Sequence, residues 1–328
     1  MDHDAVQKQK IRRWSHCVGI ALVVASLAFI GHELWCNSDE LRGVRFNRER
    51  LGWIWLSPIS YGMAMMCIIM AWCQALHLFG EKRIKHREAF IIYARSQIVK
   101  YLPGNVFHLA GRHYLGKKRG LEHGALMGAA VYEIIGLIFC GVLVTVVTMK
   151  PGKLNHALMD NWISIPVLFL LVVGVVYSGR MLIAATRKQH ELMQKLPTQN
   201  IVIKITGTIF LYAFFFCMAG ISLAALLFCQ GVPIDMQQAR YIFAAFAASW
   251  VAGFVTPGAP AGVGVREAVA MAMLGDVFST PVAMIATLLF RVNTLGVDLI
   301  LFASGLLVGR NYDSKVIVKS VMNRRNHK

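Results

Sequence analysis

KYLPGNVFHLAGRHYLG (residues 100–116) and GFVTPGAPAGVGVREAVAMAMLG (residues 253–275) are two versions of one pattern. In each, a Pro-Gly pair, Pro103-Gly104 or Pro257-Gly258, interrupts an apolar run, and an arginine follows eight positions after the glycine, at Arg112 or Arg266. Proline removes a backbone donor and blocks the preceding helix, and glycine weakens the helix further. Within a bilayer such a break strands backbone polar groups, and a charge beside it is costly, so a chain that repeats both features has a use for them.

The rest of the chain places these stretches in a membrane. Of its 328 residues 56% are hydrophobic, its mean hydropathy is +0.54, and its apolar runs reach the roughly 18 residues that a membrane helix needs. The net charge of +17 sits in short loops between those runs, where it sets orientation and attracts anionic lipid. No basic face carries interleaved aromatics, which argues against nucleic acid as a partner. The seven cysteines form no C-x-x-C pair and the eleven histidines no H-E-x-x-H pattern. They read as apolar and isolated side chains, and no metal, cofactor or disulfide frame is expected.

The sequence predicts an all-α polytopic membrane protein: six full transmembrane helices plus two broken re-entrant helical hairpins in an inverted repeat. The spans fall at 17–35, 53–79, 121–149, 163–178, 201–229 and 281–308, and the hairpins at 89–116 and 241–275. Basic residues on both flanks of the first hairpin, Lys82 to Arg87 and Lys117 to Arg119, make it dip in from the cytoplasm. The loop after the second, 276–280, has no Lys or Arg, so that hairpin enters from outside. Most of the 34 lysines and arginines then fall inside, and both termini are cytoplasmic. One membrane domain spans 1–328, with one half at about 1–155, the other at about 160–310 and a basic tail at 311–328. Inverted repeats with broken helices near the midplane point to a transport site.

Several residues could carry chemistry. If each second arm starts just after its Pro-Gly, its open N–H groups and dipole make an anion site, with Gly258, Gly262 and Gly264 admitting a phosphate. Arg112 and Arg266 would then lie about 12 Å further on, at ~1.5 Å per residue, toward opposite leaflets. They either bind lipid phosphate or snorkel to the headgroups. Glu133 and Arg291 each fall about 15 Å into a span and are expected to pair or to share a polar cavity, as a gate or as a static lock. Asp298 would take Arg112 as partner, and Glu267 is a local polar neighbour of Arg266. Lys100 precedes the first break where the second has Phe254, which sets it outside the repeat.

At KYLPGNVFHLAGR, the Glu133 span, TPGAPAGVGVRE and the Arg291 span, the chain resembles the membrane-embedded lysylphosphatidylglycerol synthase/flippase-like family. The likeness runs through both halves in order. Ala259 and Ala261 stand where a more glycine-rich stretch is expected. The resemblance implies movement of an anionic or modified phospholipid or glycolipid between leaflets of a bacterial cytoplasmic (inner) membrane. The soluble transferase domain of the lysyl-lipid synthases is not expected here, so no catalytic residues are assigned. Two alternatives remain: a membrane-embedded lipid-modifying transferase, which needs a carboxylate base from Glu133, Glu267 or Asp298, or a non-catalytic subunit docking a cytosolic lipid-modifying enzyme. A homo-oligomer is left open. No G-x-x-x-x-G-K-[ST] motif supports direct ATP coupling.

Overall fold

The long apolar runs become long helices, one of them accommodating Pro58 in its first turn, where the backbone N–H has no helical partner to lose. In the computed structural model, Trp35 and residues 48–81, 83–101, 107–149, 198–256 and 260–325 are described. The expected span at 17–35 apart from Trp35, the expected span at 163–178, and Pro103, Gly104, Pro257 and Gly258 lie outside the described residues. Among the described residues there is no strand. The helices are α1 (Leu56–Leu78), α2 (His86–Gln97), α3 (Phe107–Lys118), α4 (His123–Thr148), α5 (Thr198–Cys229), α6 (Met236–Val255), α7 (Val265–Gly275) and α8 (Thr280–Arg325). Short 3-10 turns at Arg48–Trp55, Ile98–Tyr101 and Pro260–Gly262 join them.

Among the described residues four helices are long and apolar enough to cross a membrane: Arg48–Leu78, His123–Thr148, Val202–Cys229 and Thr280–Arg310. They coincide with four of the six expected spans. The last continues as helix to Arg325, so the expected tail extends the helix; after Gly309 there is neither Gly nor Pro to stop it.

The helix α1 lies antiparallel on α5. Near one end of α1, Ser222 donates to the Ser57 carbonyl at 2.9 Å, the two hydroxyls are 2.8 Å apart, and Asn293 of α8 donates to Ser222 at 3.2 Å. Near the other, Thr208 donates to Gln74 at 3.2 Å. Between them runs a buried stripe of small residues, Ser60, Ala64, Ala71 and Ala75. Without a hydrophobic force between helices in lipid, such close backbone approach and polar bridging hold membrane helices together.

The helix α4 runs parallel to α5, because Gly136 meets Tyr212 and Gly141 meets Phe216. Each short-helix pair begins and ends at one end of the bundle. Glu122, after α3, donates its N–H to the Glu81 carboxylate before α2 at 3.1 Å, and Tyr241 in α6 faces Asp276 after α7 at 3.4 Å. These ends are opposite: α2 and α3 open where α4 begins, whereas Arg240 of α6 reaches the Val147 carbonyl where α4 finishes, at 3.1 Å. Packing is reciprocal, with α4 against α6 and α8 against α2. The second contact is marked by Arg95 donating to the Gly305 carbonyl at 3.1 Å.

At Gly136 an added Cβ would strike the Tyr212 ring. Gly136→Leu should therefore lower the unfolding temperature in detergent, at an overpacking cost of about 1–3 kcal/mol; an unchanged value would contradict this packing.

Candidate functional site

The two breaks meet in the interior, where the turn at Ile98–Tyr101 touches that at Pro260–Gly262. Their matching sequence spacing does not give matching geometry. After α6 the chain adopts positive φ at Ala261 (51°), Gly262 (70°) and Gly264 (85°), and helix resumes only at Val265. Arg266 is thus in the first turn of α7. Arg112 is more than one turn into α3, which starts at Phe107. The expected disposition of the two arginines toward opposite leaflets is replaced by one interior layer.

The reason lies in two glycines. Arg266 folds back across Gly253 and Gly262, where a Cβ on Gly262 would stand 2.6 Å from the Arg266 Nε and 2.9 Å from the Gly253 Cα. A side chain at Gly253 would collide with the arginine's own carbons. The space expected to admit a phosphate beside Gly262 is therefore occupied by Arg266. Gly264 donates its N–H to Glu267 Oε2 at 2.5 Å, so the start of α7 is covered by its own carboxylate. Glu267 is more than a local neighbour, since its other oxygen lies 3.5 Å from Arg291 Nε.

The expected contact between Glu133 and Arg291 is not formed. Glu133, 4% exposed, receives Arg112 at 2.5 Å and the Tyr93 hydroxyl at 2.9 Å. Arg112, 2% exposed, also lies 3.6 Å from the centre of the Tyr93 ring and is far from snorkelling. Asp298 pairs not with Arg112 but with Lys100, at 2.6 Å, and accepts from the Tyr101 hydroxyl at 2.6 Å. Lys100, set outside the repeat, is thus an anchor between α8 and the first break. Arg291 donates to the Ala261 carbonyl at 3.3 Å and fastens α8 to the second break.

These pairings leave a remainder. Lys100, Arg112, Arg266 and Arg291 supply four cations, and Glu133, Glu267 and Asp298 supply three carboxylates. Of these four, Arg266 has no carboxylate partner among the described residues. Its guanidinium sits 5.3 Å over the Trp250 ring, and its Nε is buried without a hydrogen-bond partner among the described residues.

Two adjoining cavities share Tyr61, Trp250 and Arg266. One, of about 40 Å³, reaches Glu267, Arg291 and Ser249. The other, of about 50 Å³, reaches Gln97, Lys100, His108 and Glu133. Glu133 and Arg291 therefore face neighbouring parts of one polar space, and each part has room for about one or two waters. Tyr93, Gln97, His108 and Trp250 were missed in the sequence reading. A signal existed: Tyr93, Gln97 and Lys100 recur at helical spacing, as do His108 and Arg112, which puts polar groups on one face.

Residues 17–301 match the family model described as "Lysylphosphatidylglycerol synthase TM region". No curated protein matches the chain.

Removing one partner of a buried pair leaves an uncompensated charge, so Glu133→Gln should destabilise the protein by about 3–5 kcal/mol. The double variant Glu133→Gln with Arg112→Met should recover much of that loss. Additive losses in detergent unfolding would show that the two side chains do not pair.

Proposed function

Because the chain belongs to the family of the lysylphosphatidylglycerol synthase TM region, we propose that it is a flippase that moves an anionic or modified lipid between the leaflets of a bacterial cytoplasmic membrane. The observation that carries this reading is Arg266, a cation with no carboxylate partner among the described residues, in a polar cavity between two broken helices. An isolated charge in the hydrocarbon layer costs several kcal/mol or more. A lipid phosphate passing the midplane would offset that cost, and Arg266 would offset the cost of the phosphate.

The architecture fits alternating access. The two short-helix pairs open at opposite ends of the bundle, and α4 and α8 cross to pack on the pair of the other half. Halves at about 1–155 and 160–310, related by inversion, account for this exchange. The end bearing Arg83, Lys85, Arg87 and Lys117 to Arg119 faces the cytoplasm by the positive-inside rule. Cavities of about 40 and 50 Å³ are too small for a phospholipid headgroup. The lipid therefore enters when α8 and the breaks move apart, stretching the contacts of Lys100 and Arg291.

A transferase is disfavoured because the carboxylates facing the cavity, Glu133 and Glu267, have both oxygens engaged. Neither is free to act as a general base.

In proteoliposomes with a labelled anionic lipid in one leaflet, the protein should speed transfer, and Arg266→Ala should lower the rate about tenfold or more, the loss of one charged hydrogen-bond partner. Unaltered transfer in the variant would overturn the assignment of Arg266. For the hairpins, cysteine at Ala259 should label faster from outside and cysteine at Asn105 from inside; the reverse pattern would rule out their proposed orientation.

A further inference from the structure

The cavity holds unspent polar groups besides Arg266. Gln97 ends α2 and His108 is the second residue of α3, and both line the part that also contains Lys100, Glu133 and Arg266. The two residues are 8% and 9% exposed, yet Gln97 Oε1 and His108 Nδ1 have no hydrogen-bond partner among the described residues. A buried polar atom left unpaired costs free energy, and natural proteins retain few of them. Two such atoms on one wall, from opposite sides of the first break, indicate a ligand that completes them.

The charge of the wall restricts that ligand. Glu133 accepts from Tyr93 on one oxygen and Arg112 on the other. Glu267 accepts from Gly264 on one and faces Arg291 with the other. The spare oxygen of Asp298 belongs to a side chain with no exposure that lines neither cavity. An ammonium group would therefore meet Lys100 and Arg266 with no uncommitted carboxylate to receive it, and like charges repel strongly in a low-dielectric site. A hydroxyl carries no charge and both donates and accepts, which suits a glutamine carbonyl oxygen and a histidine nitrogen of either tautomer.

We propose that the cavity selects anionic lipids whose headgroups carry free hydroxyls, such as glycerol, inositol or a sugar, over lipids with amine headgroups, Gln97 and His108 binding the hydroxyls while Arg266 binds the phosphate. The selection rests on the reading of Arg266 given above. The wall of Met65, Ile68, Leu137 and Phe215 beside these groups is apolar, so the two orphaned atoms are the buried partners left for the hydroxyls.

The test is binding of short-chain lipids to the purified full chain, followed by native mass spectrometry. The lipids are phosphatidic acid, phosphatidylglycerol, phosphatidylinositol, phosphatidylethanolamine and an aminoacylated phosphatidylglycerol. Gln97→Met and His108→Leu should each weaken phosphatidylglycerol and phosphatidylinositol by about 3–10-fold, the size of one net hydrogen bond, with phosphatidic acid changed by less than about twofold. His108→Asn, which keeps a polar partner, should retain most of the affinity, and unfolding temperature identifies any variant that fails to fold. Equal loss for phosphatidic acid and phosphatidylglycerol, or amine lipids binding as tightly as phosphatidylglycerol, would overturn the selection. If Arg266→Ala abolishes anionic-lipid binding while the Gln97 and His108 variants change nothing, the hydroxyl pocket is wrong and the phosphate site stands. If Arg266→Ala also changes nothing, the transporter reading falls with it.

Discussion

A charge buried among apolar helices must be answered by another charge, and the interior of this protein is arranged around that requirement. Three carboxylates answer three cations, and each pair fastens a broken stretch to something else. Arg112 and Glu133 tie α3 to α4, Lys100 and Asp298 tie the first break to α8, and Glu267 holds Arg291 beside the second. Since α8 contributes to both breaks, its position couples them. Among the described residues Arg266 stands outside these three pairs, and on the proposed reading it is the charge kept for a lipid.

Packing around the layer divides into rigid and movable parts. The α1 and α5 pair is fixed by a small-residue stripe and by buried serine and asparagine hydrogen bonds. Aromatic rings of Phe215, Phe216, Phe246, Trp250 and Phe290 interlock α5, α6 and α8, with neighbouring centroids 4.9 to 6.2 Å apart. Trp250 connects the two functions, packing on Phe215 and Phe216 while presenting its face to Arg266. Among the described residues the breaks are fastened to α8 by polar contacts, Arg291 to the Ala261 carbonyl and Lys100 and Tyr101 to Asp298. Motion that admits a lipid is therefore expected there, where local opening disrupts the least packing.

The spans were legible because length and apolarity suffice to define a membrane helix, and the four described ones fall where the sequence places them. The breaks were legible as Pro-Gly pairs. Pairing within the charged layer was not. Counting from the glycine treats both second arms as helices from the start, but positive φ at Ala261, Gly262 and Gly264 delays α7 and turns Arg266 back on its own break. Depth along a span likewise brought Glu133 and Arg291 to one level without revealing which way each side chain points. Direction comes from packing between helices, which a single chain's periodicity does not encode. Gln97 and His108 escaped notice because single polar residues beside a break resemble ordinary helix ends.

The most direct test of Arg266 as the charge left open for lipid phosphate is an experimental structure in nanodiscs containing phosphatidylglycerol. The account predicts headgroup density in the cavity between the breaks, with a phosphate oxygen within about 3 Å of the Arg266 guanidinium and Glu133 still paired with Arg112. Arg266 joined to a protein carboxylate, with lipid phosphate confined to the outer faces of the helices, would contradict it.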